Sequence, residues 1–310
     1  MGRGQEIRVT GRRAWIACAL ALVTAGCSVR RIAVDGLAGA LASSGDVFAS
    51  DDDPELVREA LPFGLKTMEA LMQESPENRD ILLAATRGFT QYSYAFVEGD
   101  MHLLDEDDFD ERDALAQRAL RLYLRAKNYG LRGLELRYEG LAAELVTEPR
   151  MAVRRLHYSD LDLTYWTAAA WGGAIGLALD RPEIVADVDA MRALLARVLE
   201  LEPGYGNGAI HEALISVEAL PEAMGGSPVR ARQHLDLALE WSQGQSAGAY
   251  VSYVTRVTIR NQDHAEFVTL LNAALAIDPD EMPSLRLANI LAQRRARKLL
   301  DSASDYFLDL

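Results

Sequence analysis

From Pro54 onward, apolar residues of this 310-residue chain recur three and four positions apart. Ala231, Leu235, Ala238 and Leu239 form one such stripe, and Val268, Leu271 and Leu275 form another. That spacing lines side chains up on a single face of an α-helix. Alternating runs of Val, Ile and Thr are scarce while Ala, Leu, Glu and Arg dominate, so the pattern predicts an all-α protein. Three capping residues followed by proline predict helix starts: Asp53-Pro54, Ser75-Pro76 and Ser227-Pro228. The first supplies an acceptor for orphan N–H groups, and the second lacks an N–H that would go unused there.

A degenerate repeat runs through this region. Ala70-Leu71 to Pro76, Val198-Leu199 to Pro203 and Ala274-Leu275 to Pro279 predict the same kind of helix ending, with proline-free relatives at Ala119-Leu120 and Ala238-Leu239. The later leucines lie 40 and 36 residues apart, near the roughly 34-residue period of tetratricopeptide (TPR) hairpins. One hairpin cannot bury its apolar stripe alone, so neighbours must stack. Residues 54–310 are therefore expected to form a TPR-like α-solenoid of degenerate helical hairpins.

Upstream the pattern changes. Arg3, Arg8, Arg12 and Arg13 precede the apolar run Ala14 to Val23, then Thr24-Ala25-Gly26 and Cys27. A basic start, a ten-residue apolar core and small residues before a cysteine predict a signal peptide over residues 1–26. They also predict a lipidated Cys27, followed by a tether with a short helix through residue 53. Ten residues make about 15 Å of helix, half of what a bilayer core requires. Removing the signal takes away four arginines and one glutamate, which moves the net charge from −14 to −17. Such acidity argues against nucleic acid as a partner and for membrane attachment through the lipid anchor alone. With Cys18 in the signal, no thiol remains for a disulfide, a zinc site or a nucleophile. Ser28 after the cysteine favours the outer membrane over the inner.

The segment Tyr165-Trp166-Thr167-Ala168-Ala169-Ala170-Trp171-Gly172-Gly173-Ala174-Ile175-Gly176 stands apart. Each helical glycine costs about 1 kcal/mol, so three in five positions predict close approach of a neighbouring helix. Together with Tyr205 to Glu212, Gln245 to Tyr253 and Leu285 to Arg297, this stretch resembles the TatT family. Those are the TPR-containing T components of tripartite ATP-independent periplasmic (TRAP) transporters. The resemblance implies a periplasm-facing lipoprotein that partners a soluble TRAP-type substrate-binding protein. It also implies a homo-oligomer, a trimer, with a central apolar cavity for a small apolar or amphipathic ligand. Tyr165, Trp166 and Trp171 are the candidate wall, with Tyr250 and Tyr253 behind them.

No motif for catalysis stands up. His211-Glu212 opens like a zinc-peptidase helix, but Ile215 occupies the second histidine's position. The acidic run from Asp105 has Asp110 where a calcium loop needs glycine. The reading is a non-enzyme with no cofactor and no metal. Arg294, Arg295 and Arg297, on the last long helix, are candidates for a subunit or partner contact; Leu287, Leu291 and Leu299 would seat that helix as a cap. The alternative function is a general TPR scaffold for envelope protein–protein contacts.

Overall fold

The computed structural model describes residues 45–308, residue 106 excepted. The signal segment, Cys27 and the short helix expected at Ile32–Leu41 lie outside them. The described residues form an all-α fold without strands. Ten principal helices carry it: α1 Pro54–Glu74, α2 Arg79–Tyr92, α3 Phe109–Glu135, α4 Leu161–Gly176, α5 Val188–Leu201, α6 Ala209–Glu218, α7 Pro228–Trp241, α8 Ala247–Tyr253, α9 His264–Leu275 and α10 Arg286–Asp301.

Two of the expected starts occur. Asp53 accepts from the N–H groups of Glu55 and Leu56 at 3.1 and 3.0 Å, and Ser227 accepts from that of Arg230 at 3.3 Å. Ser75-Pro76 does not begin a helix. Ser75 closes α1 by donating its N–H to the Leu71 carbonyl at 2.9 Å. Asn78 then caps α2, accepting from Asp80 and Ile81 at 3.0 Å. Proline cannot continue α1, and the next side chain able to cap lies two residues further on. Nor does Ala119-Leu120 end a helix, because nothing after Tyr123 breaks the pattern and α3 runs on to Glu135.

The helices pack as successive hairpins in two layers. Each even-numbered helix touches its odd-numbered neighbours and also the next even one, so α2, α4, α6, α8 and α10 line one side in sequence. Three apolar clusters follow one another along this path. The close helix approach expected in α4 occurs at Gly173, where an added Cβ would come within 2.6 Å of the Tyr123 ring of α3. Gly172 and Gly176 have no such neighbour.

The last helix returns to the first. Leu287 and Leu291 of α10 pack on the cluster built by α1, α2 and α3, while Leu299 belongs to the cluster of α8 and α9. Arg294 reaches Glu55 of α1, Arg286 donates to the Ser50 carbonyl at 2.9 Å, and Lys298 pairs with Asp105. Asn289, 1 % exposed, accepts from the N–H of Ala247 and donates to the Gln245 carbonyl, both at 2.9 Å, which pins the start of α8. The chain is thus a ring with its even-numbered helices inward.

Candidate functional site

Two helices of the inner layer widen before they end. Beyond α2, Ser93–Glu98 forms a π-helical turn, and beyond α8 so does Val254–Thr258. Such turns carry one extra residue and re-aim the side chains around them. The first presents Tyr94 and Glu98; the second presents Arg256. Tyr94 is 48 % exposed, yet groups from four other inner helices surround it. Tyr165 (α4), Glu212 (α6) and Arg295 (α10) interact with it electrostatically, and Ser252 (α8) lies beside it. Tyr94 is thus enclosed by groups of the inner helices and still reached by solvent, and the side chains around it form the candidate site.

One part of the wall centres on Glu98, which is 4 % exposed. Tyr123 Oη donates to its Oε2 at 2.6 Å, His102 Nε2 lies 3.4 Å from Oε1, and Arg256 Nη2 stands 3.8 Å from the same oxygen. Burial works against the ionised carboxyl. The His102 hydrogen bond and charge, Arg256 and Tyr123 outweigh burial and hold Glu98 down at about 2. Burial, then the charge of Arg295, lowers His102 to about 4, so its ring is neutral at pH 7.

Glu212 is built differently. Among the described residues, Ser246 and Ser252 alone offer it hydrogen bonds, at 3.4 and 3.3 Å, and no cation pairs with it. Burial therefore raises its affinity for a proton above the ordinary carboxylate range, which the two serines only partly offset. A Cβ on Gly248 would lie 2.8 Å from its Oε1, so glycine lets the first turn of α8 close over the carboxyl. Burial, and then the Glu212 charge, pushes the Tyr94 phenol up to about 12, leaving it a neutral hydroxyl across the physiological range.

Aromatic rings continue the wall through α4. Tyr165 packs against Tyr205 at a 46° tilt, 4.6 Å between centroids, and meets Trp166 edge-on at 5.1 Å. The Arg87 guanidinium lies 5.6 Å over Trp166, and Tyr205 Oη donates to Asp162 at 2.6 Å. The other candidate aromatics stand elsewhere. Trp171 is 2 % exposed in the core between α4 and α5, with the Lys127 amine 4.4 Å from its ring. Tyr253 is 5 % exposed beneath Arg232, and Tyr250 packs on the third apolar cluster.

The three candidate contact arginines also separate. Arg294 is committed to Glu55, Arg297 is exposed, and Arg295 joins the groups around Tyr94 and Glu98. Sequence reasoning missed Tyr94, Glu98, His102 and Arg256 as a group, because residues 94–102 and residue 256 are far apart in the chain. An acid at 98 directly after Ala95-Phe96-Val97 was the available signal. His211-Glu212 ties the start of α6 to the helices on either side of it. His211 Nδ1 lies 3.0 Å from that of His234 on α7, while Glu212 bonds the next hairpin. Among the described residues no cluster of His, Cys, Asp or Glu could hold a metal ion, and no helix is long and apolar enough to cross a membrane.

Helical hairpins packed in sequence, with aromatic and charged side chains on their shared inner side, define an all-α protein of helical-hairpin architecture. The chain belongs to the TRAP transporter T-component (TAtT) family, whose model matches residues 50–307. An uncharacterized protein of Treponema pallidum (strain Nichols) is 32 % identical over 312 residues, covering 94 % of this chain and 97 % of the relative. The family is one of envelope-associated accessory transport components, not an enzyme family.

Proposed function

We propose that this T component hangs by a lipid on Cys27, faces the periplasm, docks a soluble TRAP-type substrate-binding protein and passes a small ligand between that partner and its own chamber. Tyr94 is the observation that carries the reading. It is half-exposed at the centre of a ring whose five inner helices all place groups around it. A static core would have no reason to keep a tyrosine wet there. Transfer by this route requires a lined cavity and weak, reversible docking, with no catalytic group. The family resemblance supports a trimer as the working assembly.

The test is direct. The substrate-binding protein encoded nearest this chain's gene is titrated calorimetrically against the full chain, against Tyr94→Ala and Trp166→Ala, and against Trp171→Phe as a core control. Docking or ligand hand-over should weaken at least fivefold in the first two variants and stay unchanged in the control. Stability loss in those variants with affinity intact would overturn the reading. Saturable capture of extended envelope peptides in place of that partner would favour a general scaffold.

A further inference from the structure

His211 of α6 and His234 of α7 meet head-on. Their Nδ1 atoms lie 3.0 Å apart, while the ring centroids are 5.2 Å apart and the planes differ by 26°. The gap between the nitrogens takes up more than half of the centroid separation, so the rings meet edge to edge along their Nδ1 directions. That is the geometry of a single N–H···N hydrogen bond, in which one imidazole donates and the other accepts. A metal ion on that line would stand closer to each nitrogen than the about 2.0 Å of a metal–imidazole bond.

The surroundings choose the tautomers. His211 is 3 % exposed, its Nε2 is shut off from solvent, and the Pro203 carbonyl lies beside the ring. A carbonyl can receive an N–H but repels a lone pair. His211 therefore carries its proton on Nε2 and accepts at Nδ1. His234, half-buried, is then the Nδ1 donor, which leaves its Nε2 as the basic position of the pair.

Two added protons act oppositely on this contact. The first goes to His234 Nε2; it leaves the Nδ1–H···Nδ1 bond in place and makes it charge-assisted, hence stronger. The second must go to His211 Nδ1, which removes the acceptor and sets two imidazolium N–H groups against each other. Groups coupled in this way titrate as a pair, in two steps. Among the described residues the other charges acting on the pair are Glu218 of α6 and Arg230 of α7, both on His234. Glu218 is already engaged by Arg192 of α5 at 3.2 Å and by Arg230 at 2.6 Å. No free carboxylate thus compensates the second charge, and burial with the His234 charge lowers His211 to about 4.

We propose that His211 and His234 form a proton latch on the seam between α6 and α7, which holds with one added proton and opens with the second. Its position gives the opening a reach. Glu212, the next residue along α6, bonds Ser246 and Ser252 at the start of α8, at 3.4 and 3.3 Å. A latch thrown between α6 and the outer layer therefore shifts a carboxyl that faces the inner side of the ring.

Nitrogen-15 NMR of the full chain reads the latch directly. At pH 7 His234 should show a protonated Nδ1 and His211 a protonated Nε2, with a scalar coupling across the Nδ1–Nδ1 bond; neither observation needs a variant. The coupling should survive the first protonation and vanish at the second. As pH drops through about 4, amide protection should fall at least about tenfold in α6 and α7 while α3 holds. His234→Gln keeps an N–H for His211 Nδ1 and can turn its carbonyl to a protonated His211. That variant should fold like the parent and lose the step, and His264→Gln should keep it. Both rings protonated on Nε2 at pH 7, an absent coupling, a loss of protection uniform along the chain, or a step that persists in His234→Gln would each overturn the latch.

Discussion

Arg294 and Glu55 are joined by a two-pronged ion pair, with Nη1–Oε1 at 2.6 Å and Nη2–Oε2 at 3.1 Å, across 239 positions of sequence. The Glu55 carboxyl sits below its ordinary range because of the hydrogen bond and charge from Arg294. The pair is the clasp between the last long helix and the first. Both side chains are well exposed, so the direct contribution to stability is at most about 1 kcal/mol and weakens with salt. Glu55→Gln is expected to change the unfolding midpoint little. It should raise amide exchange in α1 and α10 selectively, and uniform exchange across the chain would contradict the role of a clasp.

Acid should loosen the fold in two stages. The folded chain keeps His211 neutral down to about pH 4, through burial and the neighbouring charge of His234. Unfolded imidazole takes its proton near pH 6.5. Between those values the unfolded chain binds more protons, so stability falls as pH falls. His102, lowered to about 4 by burial and Arg295, adds a loss of the same sign. Urea unfolding of the parent should weaken between pH 6.5 and pH 4, and His211→Asn should remove about 2 kcal/mol of that decline.

Glu98 governs the second stage. Its folded value of about 2 lies below the ordinary carboxylate range. The stability it contributes is therefore present above about pH 4.5 and lost as pH drops toward 2. Glu98→Gln should flatten that lower limb while leaving the limb set by the histidines. An unchanged lower limb would mean that the carboxylate is not held ionised by its partners.

Gly173→Ala sets two effects against each other. Alanine favours the helix by about 1 kcal/mol, but its Cβ would come within 2.6 Å of the Tyr123 ring. Tyr123 cannot move freely, being 2 % exposed and bonded to Glu98. Overpacking should win, with a net destabilisation of about 1–2 kcal/mol. The same change should displace the Tyr123 hydroxyl, so the Glu98 limb of the acid profile ought to shift upward as well. Stabilisation by alanine would show that the ring yields.

Cys27→Ala tests the anchor. The expected outcome is a folded, helical chain released into the soluble periplasmic fraction, and continued membrane retention would remove lipidation from the reading.

The helical period was legible because it repeats locally: the stripe of Ala231, Leu235 and Ala238 is buried as spaced. Closing the ring was not, since it depends on pairs such as Arg294 with Glu55 whose sequence separation no periodic pattern encodes. The family resemblance was carried by contiguous stretches and pointed to the right family. The placement of the candidate aromatics was half legible. Tyr165 and Trp166 announced themselves as aromatics among small residues, but Trp171 looks the same on paper and lies in the core. Composition cannot say which side of a helix faces the inside of the ring. Arg295 was visible as a cation out of place in an acidic chain. Its place beside Tyr94 and Glu98 became apparent only once residues from α2, α8 and α10 stood together.

The two widened turns have a consequence for how such a protein can change. Each contains one residue beyond what a regular helix would use, and one residue amounts to about 100° of rotation. Deleting a single position from 93–98 would leave a continuous helix that still spans the same distance, with Glu98 swung out of register from Tyr123 and Arg256. The inner side of the ring is therefore separable from its frame: a one-residue indel re-aims the groups that face inward without redesigning the walls that hold the ring shut.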